Sequence, residues 1–214
     1  AIFNFHEKIP LFYKDNVRPE LQIKGAWYED LQIRRVNQIE YLISRNKDAY
    51  SKLLDNMLRN ELVSGLWEVK YYNKNSLGKN APLQFIHHLE IFQYMTELDI
   101  DILNDGNFGN KWGVKVNNTL LALGDPYKGL NAFNAASYLN ANCKNKAVYL
   151  DLGSGIGSDA IKVSKISKVP TRILLCDIPL NLSTAFAYIS MNTSEKCILV
   201  DTEDKINDLI NSDF

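Results

Sequence analysis

The chain has 214 residues, 46% of them hydrophobic, and a net charge of −1. That is enough apolar material for a real core and for one large or two small domains. The interspersed charges leave no basic footprint for nucleic acid, no apolar stretch reaches the length of a membrane span, and the N-terminus lacks a basic-then-apolar signal pattern.

Through about residue 122 the pattern is helical. Leu31, Ile33, Val36, Ile39, Tyr41, Leu42 and Ile43 predict a helix over 29–44 with a broad apolar face. Asp48 is placed to cap a second helix, which carries Leu53, Leu54, Met57 and Leu58 towards Leu62. Pro82, a good first-turn residue, opens a third with Phe85, Ile86, Leu89, Phe92 and Met95 at helical spacing. Residues 69–78 are polar and aromatic and end in a turn-like Asn75-Ser76-Leu77-Gly78, and the Gly- and Asn-rich stretch 104–112 reads as a loop.

From residue 147 strand and helix alternate. Strands are predicted over 148–152, 172–176 and 197–200, and helices over 159–168, 181–191 and 203–210. Near-continuous apolar strands joined by helices predict a parallel sheet covered on both faces. The expected fold is α/β: a Rossmann-like parallel sheet of about three strands over 123–214, preceded by a mainly helical region, 1–122. Cys143, Cys176 and Cys197 are odd in number and far apart, so they offer neither a disulfide framework nor metal-ligand spacing. Cys176 and Cys197 lie in apolar runs and are expected as buried free thiols, which fits a reducing, cytoplasmic setting.

The chemistry concentrates in Asp151-Leu-Gly153-Ser154-Gly155-Ile-Gly157, between the first strand and its helix. Alternating glycines allow a sharp turn and remove side chains that would hold a ligand away from the backbone, and the helix that follows presents free N–H groups and a positive dipole end. A P-loop needs Gly-Lys-Ser/Thr at its end, which is missing. A dinucleotide loop wants a last glycine or alanine where Ser158 stands, so that reading is open but second best. Asp177 closes the next strand about twenty residues later, where an acid can accept hydrogen bonds from both ribose hydroxyls. The lesser alternative is that it only caps the following helix.

The remaining pattern, acid-x-Gly-x-Gly-x-Gly in Asp151, Gly153, Gly155 and Gly157, resembles motif I of the class I, Rossmann-like S-adenosylmethionine-dependent methyltransferases. The resemblance implies S-adenosyl-L-methionine as cofactor, with Asp151 and the loop (Gly153, Ser154, Gly155, Gly157) at its amino-acid end and Asp177 with Ile178 at the ribose. It also implies Asp201 and Thr202 at the adenine edge, where Asp201 could otherwise be a solvated loop acid or cap. Residues 51–67, Leu123-Gly124-Asp125-Pro126 and Asp177-Ile178-Pro179 are similar to the bacterial sugar O-methyltransferases. This implies methyl transfer to a hydroxyl of a small molecule, sugar or glycan. Such a reaction needs a base to take the hydroxyl proton, and some sugar methyltransferases add a divalent metal.

No catalytic base and no metal ligand set are legible. His87 and His88 are the candidates in the first half, on an apolar helix where packed or half-exposed histidines are expected. Gly124-Asp125-Pro126 and Gly129 could close over a ligand or form an ordinary turn, and Trp67, Tyr71, Tyr72 and Trp112 could stack on a sugar or pack the core. Phe214 falls where a fourth strand would begin, so the expectation is a chain holding the adenosine half of a site without its catalytic half. A non-catalytic cofactor-sensing or partner-binding module and an NAD-dependent oxidoreductase are the rival readings, and nothing in the pattern sets an oligomeric state.

Overall fold

The computed structural model describes residues 1–8, 35–59, 62, 81–200 and 202–212. Helix α1 (Ile2–Lys8) is followed by α2 (Val36–Ile43), which lies within the first helix read from the pattern, whose residues 29–34 fall outside the described residues, and by α3 (Lys47–Asp55), which starts before Asp48 and ends at Asp55, leaving Met57 and Leu58 in a turn. The cap of α3 is Asn46, whose side chain accepts the Ala49 N–H at 3.1 Å, and Asp48 sits in the first turn instead. Either residue type satisfies an orphan amide, and the chain uses the earlier one.

Helix α4 (Ala81–Thr96) buries Phe85, Leu89 and Phe92. A 3₁₀ turn (Ile100–Leu103) follows, and these apolar residues form one core cluster with Leu121. Residues 104–112 form a loop, as expected. A short antiparallel hairpin, β1 (Val114–Val116) and β2 (Thr119–Leu121), turns at Asn117, which has φ +54°. Sequence reading missed it, because three-residue strands are too short to show alternation.

Helix α5 (Asp125–Asn142) begins at the Gly-Asp-Pro turn and leads into β3 (Ala147–Leu152). Helix α6 (Ser158–Ile166), β4 (Thr171–Cys176) and α7 (Pro179–Asn192) come next, and α8 (Glu203–Asn211) follows. Strands β3 and β4 pair in parallel from Ala147↔Thr171 to Leu152↔Cys176. Among the described residues the chain is therefore α/β and mostly helical, with a two-stranded parallel sheet where three strands were predicted. Residues 197–200 carry the apolar residues of a strand but make no ladder.

The sheet also departs from the expected burial. Ala147, Tyr149 and Ile173 pack with Ala132, Leu139 and Val163 of α5 and α6. On the opposite face Val148, Leu150 and Leu152 are 55%, 52% and 73% exposed. Among the described residues the sheet is covered on one face rather than two. A larger cluster joins Ile39, Leu42, Tyr50, Leu54, Met57 and Leu62 to Ile156, Ile161, Leu180 and Tyr188. It carries the helical first half directly beneath the loop between β3 and α6. No helix among the described residues is long and apolar enough to cross a membrane.

Candidate cofactor site

Gly153, Gly155 and Gly157 have φ values of +75°, +56° and +75°. All three lie in the left-handed region that glycine enters without steric cost, which is the physical reason for the alternation. Their surroundings differ. A Cβ on Gly157 would stand 2.6 Å from Ile189 Cδ1 and 3.0 Å from Leu175 Cδ1, so this glycine lets α6 approach α7 and β4. A Cβ on Gly153 would meet nothing within 4 Å, so its backbone borders open space.

The loop is tied to the end of β4. Gly153 N–H donates to Cys176 O at 2.7 Å, and Gly157 N–H donates to Ser154 O at 2.9 Å. Asp177 Oδ2 accepts from Gly155 N–H at 2.7 Å, while Oδ1 accepts from Ile178 N–H at 2.7 Å and Asn181 Nδ2 at 2.9 Å. Asp177 thus stands one residue before the N-cap of α7, Ile178, takes none of the helix's first-turn amides, and reaches across to the glycine loop. Ile178 is half-buried against the large core cluster. Ser154 Oγ is buried with no hydrogen-bond partner.

The electrostatics are acidic. Burial raises the Asp151 carboxyl above its ordinary value, and Asp159 and Asp177 add to the rise. Burial also raises Asp159, opposed by Lys128 and Lys162 and reinforced by Asp125 and Asp105. Burial, with Asp151 and Asp159, raises the Tyr149 hydroxyl as well. Like charges this close disfavour one another, and a cationic ligand group relieves them.

Beneath the loop lies a constellation that sequence reading missed. Lys162, one turn into α6, is fully buried and donates to Asp125 Oδ1 at 3.1 Å, Asp105 Oδ2 at 3.3 Å and Ser158 Oγ at 2.8 Å. Ser158 Oγ in turn donates to Asp105 Oδ2 at 2.6 Å. Lys111, also buried, pairs with Asp105 and lies 3.6 Å from Asp125. Burial alone pushes the Asp105 carboxyl up, but Lys162, Lys111 and two hydrogen bonds outweigh it and hold the group well below the carboxylate range. Burial likewise works against the Lys162 ammonium, and Asp125 and Asp105 overcome it and raise its pKa. Two carboxylates and two ammonium groups balance in a buried site. The available signal was Lys162 itself, set among Ala160, Ile161 and Val163 on a helix face that has to be buried.

The other expected site residues are placed as follows. Asp201 lies outside the described residues, as do Trp67, Tyr71 and Tyr72. Thr202 is exposed and caps α8, its hydroxyl accepting Lys205 N–H at 3.4 Å. His87 and His88 are both exposed, not packed, because α4 turns Phe85 and Leu89 inward instead. Asp125 Oδ2 accepts Ala122 N–H at 2.7 Å, and a Cβ on Gly129 would stand 2.3 Å from Leu103. The Gly-Asp-Pro segment is therefore a buried turn and packing point. The Arg59 guanidinium sits 4.4 Å from the Trp112 ring centroid, a cation–π contact. Cys176 is exposed and Cys197 half-buried, so neither is the fully buried thiol expected: Cys176 ends β4 on the uncovered face. No group of His, Cys, Asp and Glu among the described residues could hold a metal ion. Comparison of the chain with family models, curated proteins and solved structures finds no match.

Proposed function

We propose that this chain binds S-adenosyl-L-methionine and serves methyl transfer to a hydroxyl oxygen, with a sugar or glycan as acceptor. The observation that carries the reading is a loop whose glycines 153, 155 and 157 all have positive φ, with Asp177 hydrogen-bonded to Gly155 and the half-buried Asp151 carboxyl feeling the charges of Asp159 and Asp177. A pyrophosphate is poorly served there, since two anionic phosphates would meet three acids. The methionine end of this cofactor carries an ammonium and a sulfonium, both cationic, and suits them. The open space at Gly153 and the unpartnered, buried Ser154 Oγ are the two further features that a ligand would satisfy.

The cofactor supplies an electrophilic methyl group when bound. The chain's own part is to bind and orient. Asp151 offers its carboxylate to the cationic end, the loop backbone allows close approach, and Asp177 has one acceptor position left on Oδ2 for a ribose hydroxyl. Orientation of the acceptor oxygen in line with the methyl–sulfur bond supplies much of the rate in such a displacement. The sugar acceptor rests on the similarity of residues 51–67, 123–126 and 177–179 alone.

Titration of the chain with S-adenosylhomocysteine and, separately, with NAD tests the cofactor. A melting temperature that rises with the first and not with the second is the expected result. A rise with NAD alone would favour the oxidoreductase reading, and no rise with either would remove the cofactor reading.

A further inference from the structure

Asp177 reaches the glycine loop through only one of its oxygens, and its carboxylate is not held by its own stereochemistry. Rotation about the Cβ–Cγ bond of an aspartate is broad and roughly two-fold. Two donors on Oδ1, the Ile178 amide and Asn181 Nδ2, pin the group so that Oδ2 meets Gly155. The Ile178 donor is its immediate neighbour in the chain and comes with the turn. Asn181 is a choice of side chain.

A side-chain amide can present either end, and the neighbour decides which. Behind Asn181 stands Arg35, fully buried at the start of α2, with Nη2 donating to Asn181 Oδ1 at 3.1 Å. A guanidinium has donors and no acceptor. It therefore draws the oxygen of Asn181 towards itself and leaves the NH₂ group facing Asp177. Its own position is fixed in parallel: Arg35 Nη1 donates to Gln38 Oε1 at 3.1 Å, and Gln38 Nε2 donates to Thr184 Oγ1 at 3.1 Å. The orientation of the Asn181 amide between Arg35 and Asp177 follows from a guanidinium that can only donate and a carboxylate that can only accept.

We propose that Asn181, oriented by Arg35, is a positioning residue for the glycine loop: it sets the Asp177 carboxylate so that Oδ2 holds Gly155 and stays available to a ribose hydroxyl. The helical first half of the chain thereby sets the geometry of the loop in the second. The part that concerns the ribose rests on the cofactor reading above, whereas the hold on Gly155 does not.

Two variants test it. Asn181→Ala removes both ends of the amide. Asn181→Asp keeps an acceptor for Arg35, and so a partner for a buried charge, but has no donor for Asp177. Amide hydrogen exchange at Gly155 should quicken in both variants by about tenfold or more, as expected for the loss of one hydrogen bond to a charged group. Amides in the middle of α5 should keep their wild-type rates. Affinity for S-adenosylhomocysteine should fall by a similar factor, and adding Asn181→Ala to Asp177→Asn should weaken it little further, because Asn181 acts through Asp177. Unchanged Gly155 exchange in a folded Asn181→Asp variant would overturn the proposal, as would full additivity of the two substitutions. If the wild-type chain binds no S-adenosylhomocysteine, the cofactor reading fails, and Gly155 exchange alone still decides for or against the positioning role.

Discussion

Replacing Lys162 with Met should be among the most damaging single changes in this chain. The ammonium lies 3.1 Å from Asp125 Oδ1 and 3.3 Å from Asp105 Oδ2, and the residue is fully buried. At an effective dielectric of about 20, each contact represents roughly 5 kcal/mol of attraction. Desolvating the ammonium offsets several kcal/mol of that. Methionine fills similar volume in a helix, so the lasting defect is two buried carboxylates sharing the one ammonium of Lys111. Breaking a buried pair in this way costs about 3–5 kcal/mol, or roughly 6–20 °C in melting temperature for a chain of this size. Thermal melts followed by circular dichroism at pH 7 measure it directly. The pH dependence is a second check. Because the folded state holds Asp105 below its ordinary value, its contribution is present above about pH 4 and fades as pH falls further. The gap between wild type and Lys162→Met should therefore narrow on acidification. A variant melting within about 2 °C of wild type at pH 7 would refute the reasoning, as would a gap that widens in acid.

The two loop glycines should separate packing from binding. Gly157→Ala meets Ile189 at 2.6 Å in a left-handed backbone, and should lower stability by about 1–3 kcal/mol in urea melts. Gly153→Ala carries only the backbone strain, about 1–2 kcal/mol, but places a methyl in the open space, so cofactor titration should show the larger loss. Asp151→Asn should stabilise the ligand-free protein near pH 7 and weaken S-adenosylhomocysteine binding. The sign follows from the raised folded pKa of Asp151: its ionised form is disfavoured in the fold, so the penalty is absent below the unfolded pKa and grows as pH rises through the folded one. Equal melting curves for Asp151→Asn and wild type across pH 3–8 would contradict it.

What was legible in the sequence was what is local. The β3–loop–α6 unit follows from an apolar run, an acid and three glycines within eleven residues, and the structure forms it with every loop glycine at positive φ. Asp177 was legible by spacing, and the structure does bring it to Gly155. Residues 197–200 misled because an apolar run states a preference for a strand, while a ladder needs a neighbour at hydrogen-bond distance. The covered-sheet expectation failed for the same reason: burial of both faces is a property of partners, not of Val148, Leu150 and Leu152. The charged cluster was illegible because Asp105, Lys111, Asp125 and Lys162 come from three segments, and each alone reads as a solvated charge. Arg35 and Asn181 are 146 positions apart, and no spacing rule joins them.

The change of pattern near residue 122 marks two styles of sequence, yet the buried interactions run across it. Asp105 and Lys111 lie before it, and Asp125, Ser158 and Lys162 after it. Ile156, Ile161, Leu180 and Tyr188 bury against Tyr50, Leu54, Met57 and Leu62. Separating 123–214 from the rest would leave Lys162 with one carboxylate in place of two and would expose the apolar side of α6 and α7 to water. Burial of each large apolar side chain contributes roughly 1.5–3 kcal/mol, and Ile156, Ile161, Leu180 and Tyr188 together approach the whole stability of an ordinary domain, about 5–15 kcal/mol. Produced alone, 123–214 should therefore lack a cooperative thermal transition and show no response to S-adenosylhomocysteine, although it contains every residue of the glycine loop. A cooperative melt with dispersed amide resonances from that segment would mean that the contacts across residue 122 are dispensable. In that case the strand–helix unit would fold without the first half, and the part Arg35 plays in orienting Asn181 would be read from Gly155 exchange in that segment set against the full chain.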